Sequence, residues 1–131
     1  MVKRLLLLFV LSLLLLASCR QTTPTPDTST QAAQISLTTD PQPPTIGDST
    51  VTVTVTQQNR PLAGVTVALR GDMRHAGMRP VIADASKTDA EGKVVIPFKW
   101  SMSGDWIVSV TVTLADNSQV AQDFNITVKP Q

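Results

Sequence analysis

The sequence has few of the residue types that form disulfides, metal sites and catalytic centres, and it has few aromatic residues. It has one cysteine, Cys19, one histidine, His75, and no tyrosine, and only 4% of its 131 residues are aromatic. A single cysteine excludes an intramolecular disulfide and a cysteine-rich zinc site. The charges nearly balance, with 11 basic and 10 acidic residues. Because a basic excess is the usual mark of nucleic-acid binding, we predict no nucleic-acid partner.

The only long apolar run lies at the N-terminus, at residues 5–16, and it follows the basic pair Lys3 and Arg4. It is shorter than the roughly 20 residues that a spanning helix needs, and it is typical of a secretory signal. Residues 16–19, LASC, resemble the bacterial lipobox, which implies cleavage before Cys19 and a diacylglycerol on its sulfur. The alternatives are an ordinary secretory signal that contains a cysteine, or an uncleaved anchor.

The lipobox divides the chain into three predicted parts. Residues 1–18 are the lipoprotein signal peptide, residues 19–34 are the lipidated cysteine with a disordered Thr/Pro/Gln-rich tether, and residues 35–131 are the folded domain. Cleavage removes two of the 11 basic residues and leaves 9 against 10 acidic ones, so no polybasic patch binds the membrane. We therefore expect the lipid to attach the domain to the cell-envelope membrane, on the extracytoplasmic side.

From position 35 onward the sequence has the two-residue period of β-strands. In residues 49–57, threonine occupies every even position, and valine occupies the three odd positions between them. No segment has apolar residues at helical spacing, and turn-rich segments separate the strands. We predict an all-β, immunoglobulin-like antiparallel sandwich of about seven strands, with Trp106 in the core and Pro97 at an edge or bulge. The predicted strands are residues 35–39, 49–57, 64–70, 80–87, 93–100, 105–116 and 118–129.

One polar turn, GDMRHAGMRP at residues 71–80, contains His75 together with Met73 and Met78. Because turns of an antiparallel sandwich alternate between its two ends, this turn should share an end with the turn that contains Met102. Thioethers are soft donors and imidazole is an intermediate one, so this set suits Cu(I), whereas Mg and Ca want oxygen and zinc would be short of ligands.

A simpler interpretation of the same turn stays open. A lone histidine is more often a surface residue than a ligand, and methionines often fill gaps beneath loops. Three arginines also add positive charge that disfavours a cation unless they point away. They are Arg70, Arg74 and Arg79.

Residues 35–131 resemble the YtkA-like domain, which is related to the FixH proteins of bacterial copper-oxidase assembly. The matching segments are RPLAGVTVALR at 60–70, MRHAGMRP at 73–80, and a stretch at 88–112 with Met, Gly and Trp at 102, 104 and 106. The resemblance implies an exported or membrane-attached all-β domain, in some cases linked to copper handling for respiratory oxidases. Envelope copper chaperones are a looser comparison, because they carry two histidines in a longer motif.

Two functions remain open, and we do not expect an enzyme. In the first, the lipoprotein holds or delivers Cu(I) through Met73, His75, Met78 and Met102, and a respiratory oxidase or another envelope protein is its partner. In the second, it is a non-catalytic interaction or spacer domain that binds no metal. Lipidation leaves no thiol nucleophile, and the sequence has no paired carboxylates, phosphate-binding glycine loop or nucleotide fingerprint.

Overall fold

A computed structural model of the protein describes residues 32–131, so the predicted signal peptide, Cys19 and most of the predicted tether lie outside the described residues. This part of the chain is all β, and it forms no helix of the length and hydropathy that a membrane crossing requires. The strands are β1 (Gln34–Asp40), β2 (Gly47–Gln57), β3 (Arg60–Pro61), β4 (Thr66–Met73), β5 (Val81–Lys87), β6 (Lys93–Trp100), β7 (Gly104–Thr113) and β8 (Gln119–Val128).

The strands form two antiparallel sheets that pack face to face. In the first sheet β1, β3 and β6 all pair with β2, and the second has the order β5-β4-β7-β8. The seven predicted strands and the all-β sandwich are confirmed. The additional strand, β3, has only two residues and pairs with the end of β2. It is too short to show any alternation, which is why the sequence did not predict it.

The inward-facing residues of both sheets form one core, whose buried members among residues 32–131 run from Ala33 to Val128. The alternating valines of β2 and β7 are fully buried, because alternate side chains of a strand point to the same face. Trp106 is 1% exposed, so its prediction as a packing residue is confirmed. Residues 32–131 therefore form a two-sheet sandwich around one core.

Two features of the strands bear on the predictions: the pairing of β6 and the end of β4. β6 pairs only with β2, so Pro97 lies on an outer strand as predicted. β4 continues to Met73, three residues beyond the predicted end, because its ladder with β7 extends to the pair Met73 and Trp106. Met73 is therefore the last strand residue, and the turn that follows it is shortened to residues 74–80.

Candidate metal site at one end of the sandwich

The register of the second sheet brings two turns together. Met73 at the end of β4 pairs with Trp106 near the start of β7, and the backbone N–H of Arg74 donates to the carbonyl of Asp105 at 3.0 Å. The turn at 74–80 therefore leaves β4 beside the turn at 101–103, which leads into β7. The predicted common end of the two turns is confirmed.

Met73 reaches across to the second turn. It continues the inward-facing positions of β4 and is half-buried against the core. A Cβ placed on Gly104 would lie only 3.1 Å from Met73 Cε, and Gly104 has a φ of +126°, which L residues rarely adopt. The methyl group of Met73 therefore occupies space that any other residue at position 104 would need.

Met102 belongs to the 101–103 turn, and a side chain of the core fixes its backbone. Its carbonyl accepts a hydrogen bond of 3.1 Å from Nε1 of the buried Trp106, while its side chain is 46% exposed. Sequence analysis missed this contact. The four-residue spacing from Met102 to Trp106 was visible, but the bond depends on the conformation of the turn between them.

His75 and Met78 lie in the 74–80 turn, and both are exposed, Met78 by 38%. The structure thus places two candidate donors, Met73 and Met102, at anchored positions and the other two on an exposed turn beside them. Within residues 32–131, no three histidine, aspartate or glutamate side chains come close enough together to hold a metal ion.

Two of the three nearby arginines have partners. Arg70 Nε and Asp72 Oδ2 are 2.8 Å apart, and a second bond of 3.0 Å joins Arg70 Nη2 to Asp72 Oδ1. These bonds and the charge of Asp72 raise the pKa of Arg70 above its ordinary value. Arg74 Nη2 donates to Asn125 Oδ1 at 2.7 Å, which holds that guanidinium on β8. Arg79 is exposed on the 74–80 turn.

Comparison with solved structures supports the fold. A superoxide reductase (neelaredoxin) from Ignicoccus hospitalis superposes with a TM-score of 0.53 at 13% identity, over 76% of this chain and 81% of that one, and a variant of it gives the same values. The soluble domain of PmoD from Methylocystis sp. ATCC 49242 (Rockwell) gives a TM-score of 0.47 at 12% identity, over 74% and 90% of the two chains. At 13% identity, the likeness to neelaredoxin concerns the fold alone.

No curated protein sequence matches the chain significantly. The model of one protein family, described as YtkA-like, matches residues 28–111. The matched region contains both turns of the candidate site and extends over more than half of the chain. The protein therefore belongs to the YtkA-like family.

Proposed function

We propose that this protein is an exported lipoprotein, anchored by Cys19, whose domain binds Cu(I) through Met73, His75, Met78 and Met102. One observation carries the proposal. The only histidine of the chain and all three methionines after Met1 lie in or directly beside two neighbouring turns at one end of the sandwich. The rest of the described sandwich offers no comparable group of soft donors.

The chemistry of these donors favours Cu(I) over harder cations. Thioether sulfur is neutral and does not titrate, so a methionine-rich site keeps its ligands in an oxidising compartment where thiols are lost. Met78 and Met102 are partly exposed, which leaves them accessible to an incoming ion. Met73 contributes a donor whose side chain packs against the core and lies close to Gly104.

The local charge is compatible with a bound cation. The carboxylate of Asp72 partly offsets the charge of Arg70 through two hydrogen bonds, and the bond to Asn125 keeps the Arg74 guanidinium beside β8. Arg79 is the remaining cationic side chain of the 74–80 turn. The arginines therefore weaken the copper proposal less than their number in the sequence suggests.

The proposed lipid anchor determines where the copper site would be located. A diacylglycerol on Cys19 would keep the domain next to the membrane, on the extracytoplasmic side, where respiratory oxidases receive their copper. We propose that the domain is not an enzyme and that its partner is such an oxidase or another envelope protein. Replacing Cys19 with Ala should release the protein from the membrane fraction and abolish labelling with a radioactive fatty acid. Retention of both label and membrane attachment would contradict the anchor.

Copper binding is tested on residues 20–131, which contain the eight described strands and no cysteine, so a thiolate cannot contribute to the signal. Cu(I) is titrated without oxygen against a chromophoric chelator. We expect one tightly bound ion, lost in a His75→Ala, Met78→Leu variant and retained in Ile82→Leu. Ile82 is a matched control because it is 71% exposed on the next strand and carries no donor. Equal weak binding by all three proteins would refute the copper site.

A second candidate is the metal-free interaction or spacer domain. It is favoured by the exposed apolar side chains of Met78, Met102 and Ile82 in or close to the same two turns. Under this proposal the wild-type protein would bind no Cu(I), and crosslinkers placed at Ile82 would capture an envelope protein in intact cells. Crosslinks from Ile82 that disappear when Cu(I) is removed would instead favour the copper proposal.

A further inference from the structure

We propose that Trp106 is a positioning residue for the candidate site, an inference that rests on the proposed copper function. Its buried indole holds the 101–103 turn in place and thereby sets the position of Met102 relative to Met73. Trp106 does not touch the metal in this proposal, because only 1% of its surface is exposed. It acts through the backbone of Met102.

The hydrogen bond to Met102 comes from a side chain with little freedom to move. The Trp106 ring contacts Trp100 edge-on at a centroid distance of 5.4 Å, and Trp100 contacts Phe98 at 4.7 Å. All three rings are buried. Since buried side chains in a close-packed core are restricted to one rotamer, the indole N–H is a fixed point to which the Met102 carbonyl is attached.

Gly104 supplies the second half of the arrangement. In sequence it lies midway between Met102 and Trp106, and the methyl group of Met73, at the end of β4, lies beside it where a side chain would otherwise stand. The alternate residues 102, 104 and 106 therefore involve both methionines. Trp106 fixes Met102 through its carbonyl, and the side chain of Met73 lies against Gly104. The contacts couple two turns that are distant in sequence.

Fixing these donors before the ion arrives should increase affinity. A loose turn must be ordered when the metal binds, and that entropy is lost from the binding free energy, whereas a turn already held by the core avoids most of this cost. Trp106 is expected to matter only as long as Met102 is a donor. This dependence separates a positioning role from a general effect on stability.

The test is a double-mutant cycle on residues 20–131 with Cu(I) affinity as the readout. Trp106→Phe keeps an aromatic ring and removes the N–H. We expect it to weaken Cu(I) binding about five- to tenfold, which lies within the range for one ordinary hydrogen bond. In a Met102→Leu background the same substitution should have no further effect. An equal loss in both backgrounds would overturn the positioning role.

Trp100→Phe is the matched control. It makes the same reduction in size within the same aromatic cluster, but Trp100 Nε1 has no hydrogen-bond partner among the described residues. We expect Cu(I) affinity to stay within about twofold of wild type, since no hydrogen bond is lost. A loss as large as that of Trp106→Phe would show that ring packing, and not the bond to Met102, determines the affinity.

Measurements without metal keep this inference separate from the copper proposal. In the wild type, the indole proton of Trp106 should resonate downfield of that of Trp100, because only the former is hydrogen-bonded. Trp106→Phe should raise the backbone mobility of Met102 and Ser103 in ¹⁵N relaxation, and Trp100→Phe should not. If the wild type binds no Cu(I), the proposed function fails, while these signals still report on the turn. Unchanged mobility in Trp106→Phe would overturn the positioning role even if copper binds.

Discussion

The Phe98 ring fills the space that a side chain at Gly71 would need. A Cβ on Gly71 would lie 2.6 Å from Phe98 Cζ, closer than carbon atoms can approach. Gly71 is buried in β4, and its backbone does not have the positive φ found at the other glycines. The glycine is required here by the close approach of a ring from the opposite sheet, at the end of the core that supports the two turns.

We expect Gly71→Ala to destabilise the domain by about 1–3 kcal/mol, which is the usual cost of inserting a methyl group into a packed core. Urea denaturation measures the change in the free energy of unfolding. The control is Phe98→Leu, which removes the ring atom that the new Cβ would meet. In that background Gly71→Ala should cost clearly less, and additive effects of the two substitutions would contradict the contact.

Gly92 and Gly64 form a matched pair that separates backbone conformation from close approach. Their φ angles are nearly equal, +70° and +72°, so alanine meets the same left-handed strain at both. A Cβ on Gly92 would lie 2.6 Å from the Val55 carbonyl oxygen and 2.9 Å from the Leu62 nitrogen, whereas nothing lies within 4 Å of one on Gly64. The backbone of two other segments therefore closes over Gly92.

We expect Gly64→Ala to cost about 1–2 kcal/mol of unfolding free energy and Gly92→Ala a further ~1–3 kcal/mol. Thermal and urea unfolding of both variants provide the measurement. The difference between them isolates the close contacts, because the conformational strain cancels. Equal losses would show that the three segments can separate without cost.

Thr88 joins two loops through a buried hydroxyl. Its Oγ1 donates to the carbonyl of Leu62 at 2.6 Å and accepts the backbone N–H of Val65 at 3.2 Å. Thr88→Val keeps the shape but leaves both backbone groups unpaired, so we expect a loss of about 1–3 kcal/mol. Thr88→Ser retains the hydroxyl and should cost less. If the two variants unfold at the same urea concentration, the hydroxyl contributes nothing.

The strands could be predicted from the sequence because each carries its own alternation of apolar residues. The shared end of the two turns followed from counting strands, since every predicted strand proved to exist. The partners of individual side chains could not be predicted in the same way. Arg74 binds Asn125, 51 positions away, and the place of Met73 depends on how far the β4–β7 ladder extends. Local patterns carry no information about such contacts.

The bond between Arg74 and Asn125 predicts a charge effect on the proposed copper site. Asn125→Ala removes the acceptor and leaves the guanidinium free to approach the donors. We expect Cu(I) affinity to fall about two- to threefold, since a unit charge several ångströms from an ion in water costs roughly 0.6 kcal/mol. The competition titration measures it, and high salt should reduce the difference.

Two further variants show whether this loss comes from Arg74. Arg74→Ala added to Asn125→Ala should restore wild-type affinity, because the released charge is then absent. Gln122→Ala, an exposed change on the same strand β8, should have no effect. If the double variant binds Cu(I) as weakly as Asn125→Ala alone, the loss must come from a change in β8 itself. Arg74 would then be irrelevant to the site, and its charge would no longer count against copper at this end of the sandwich.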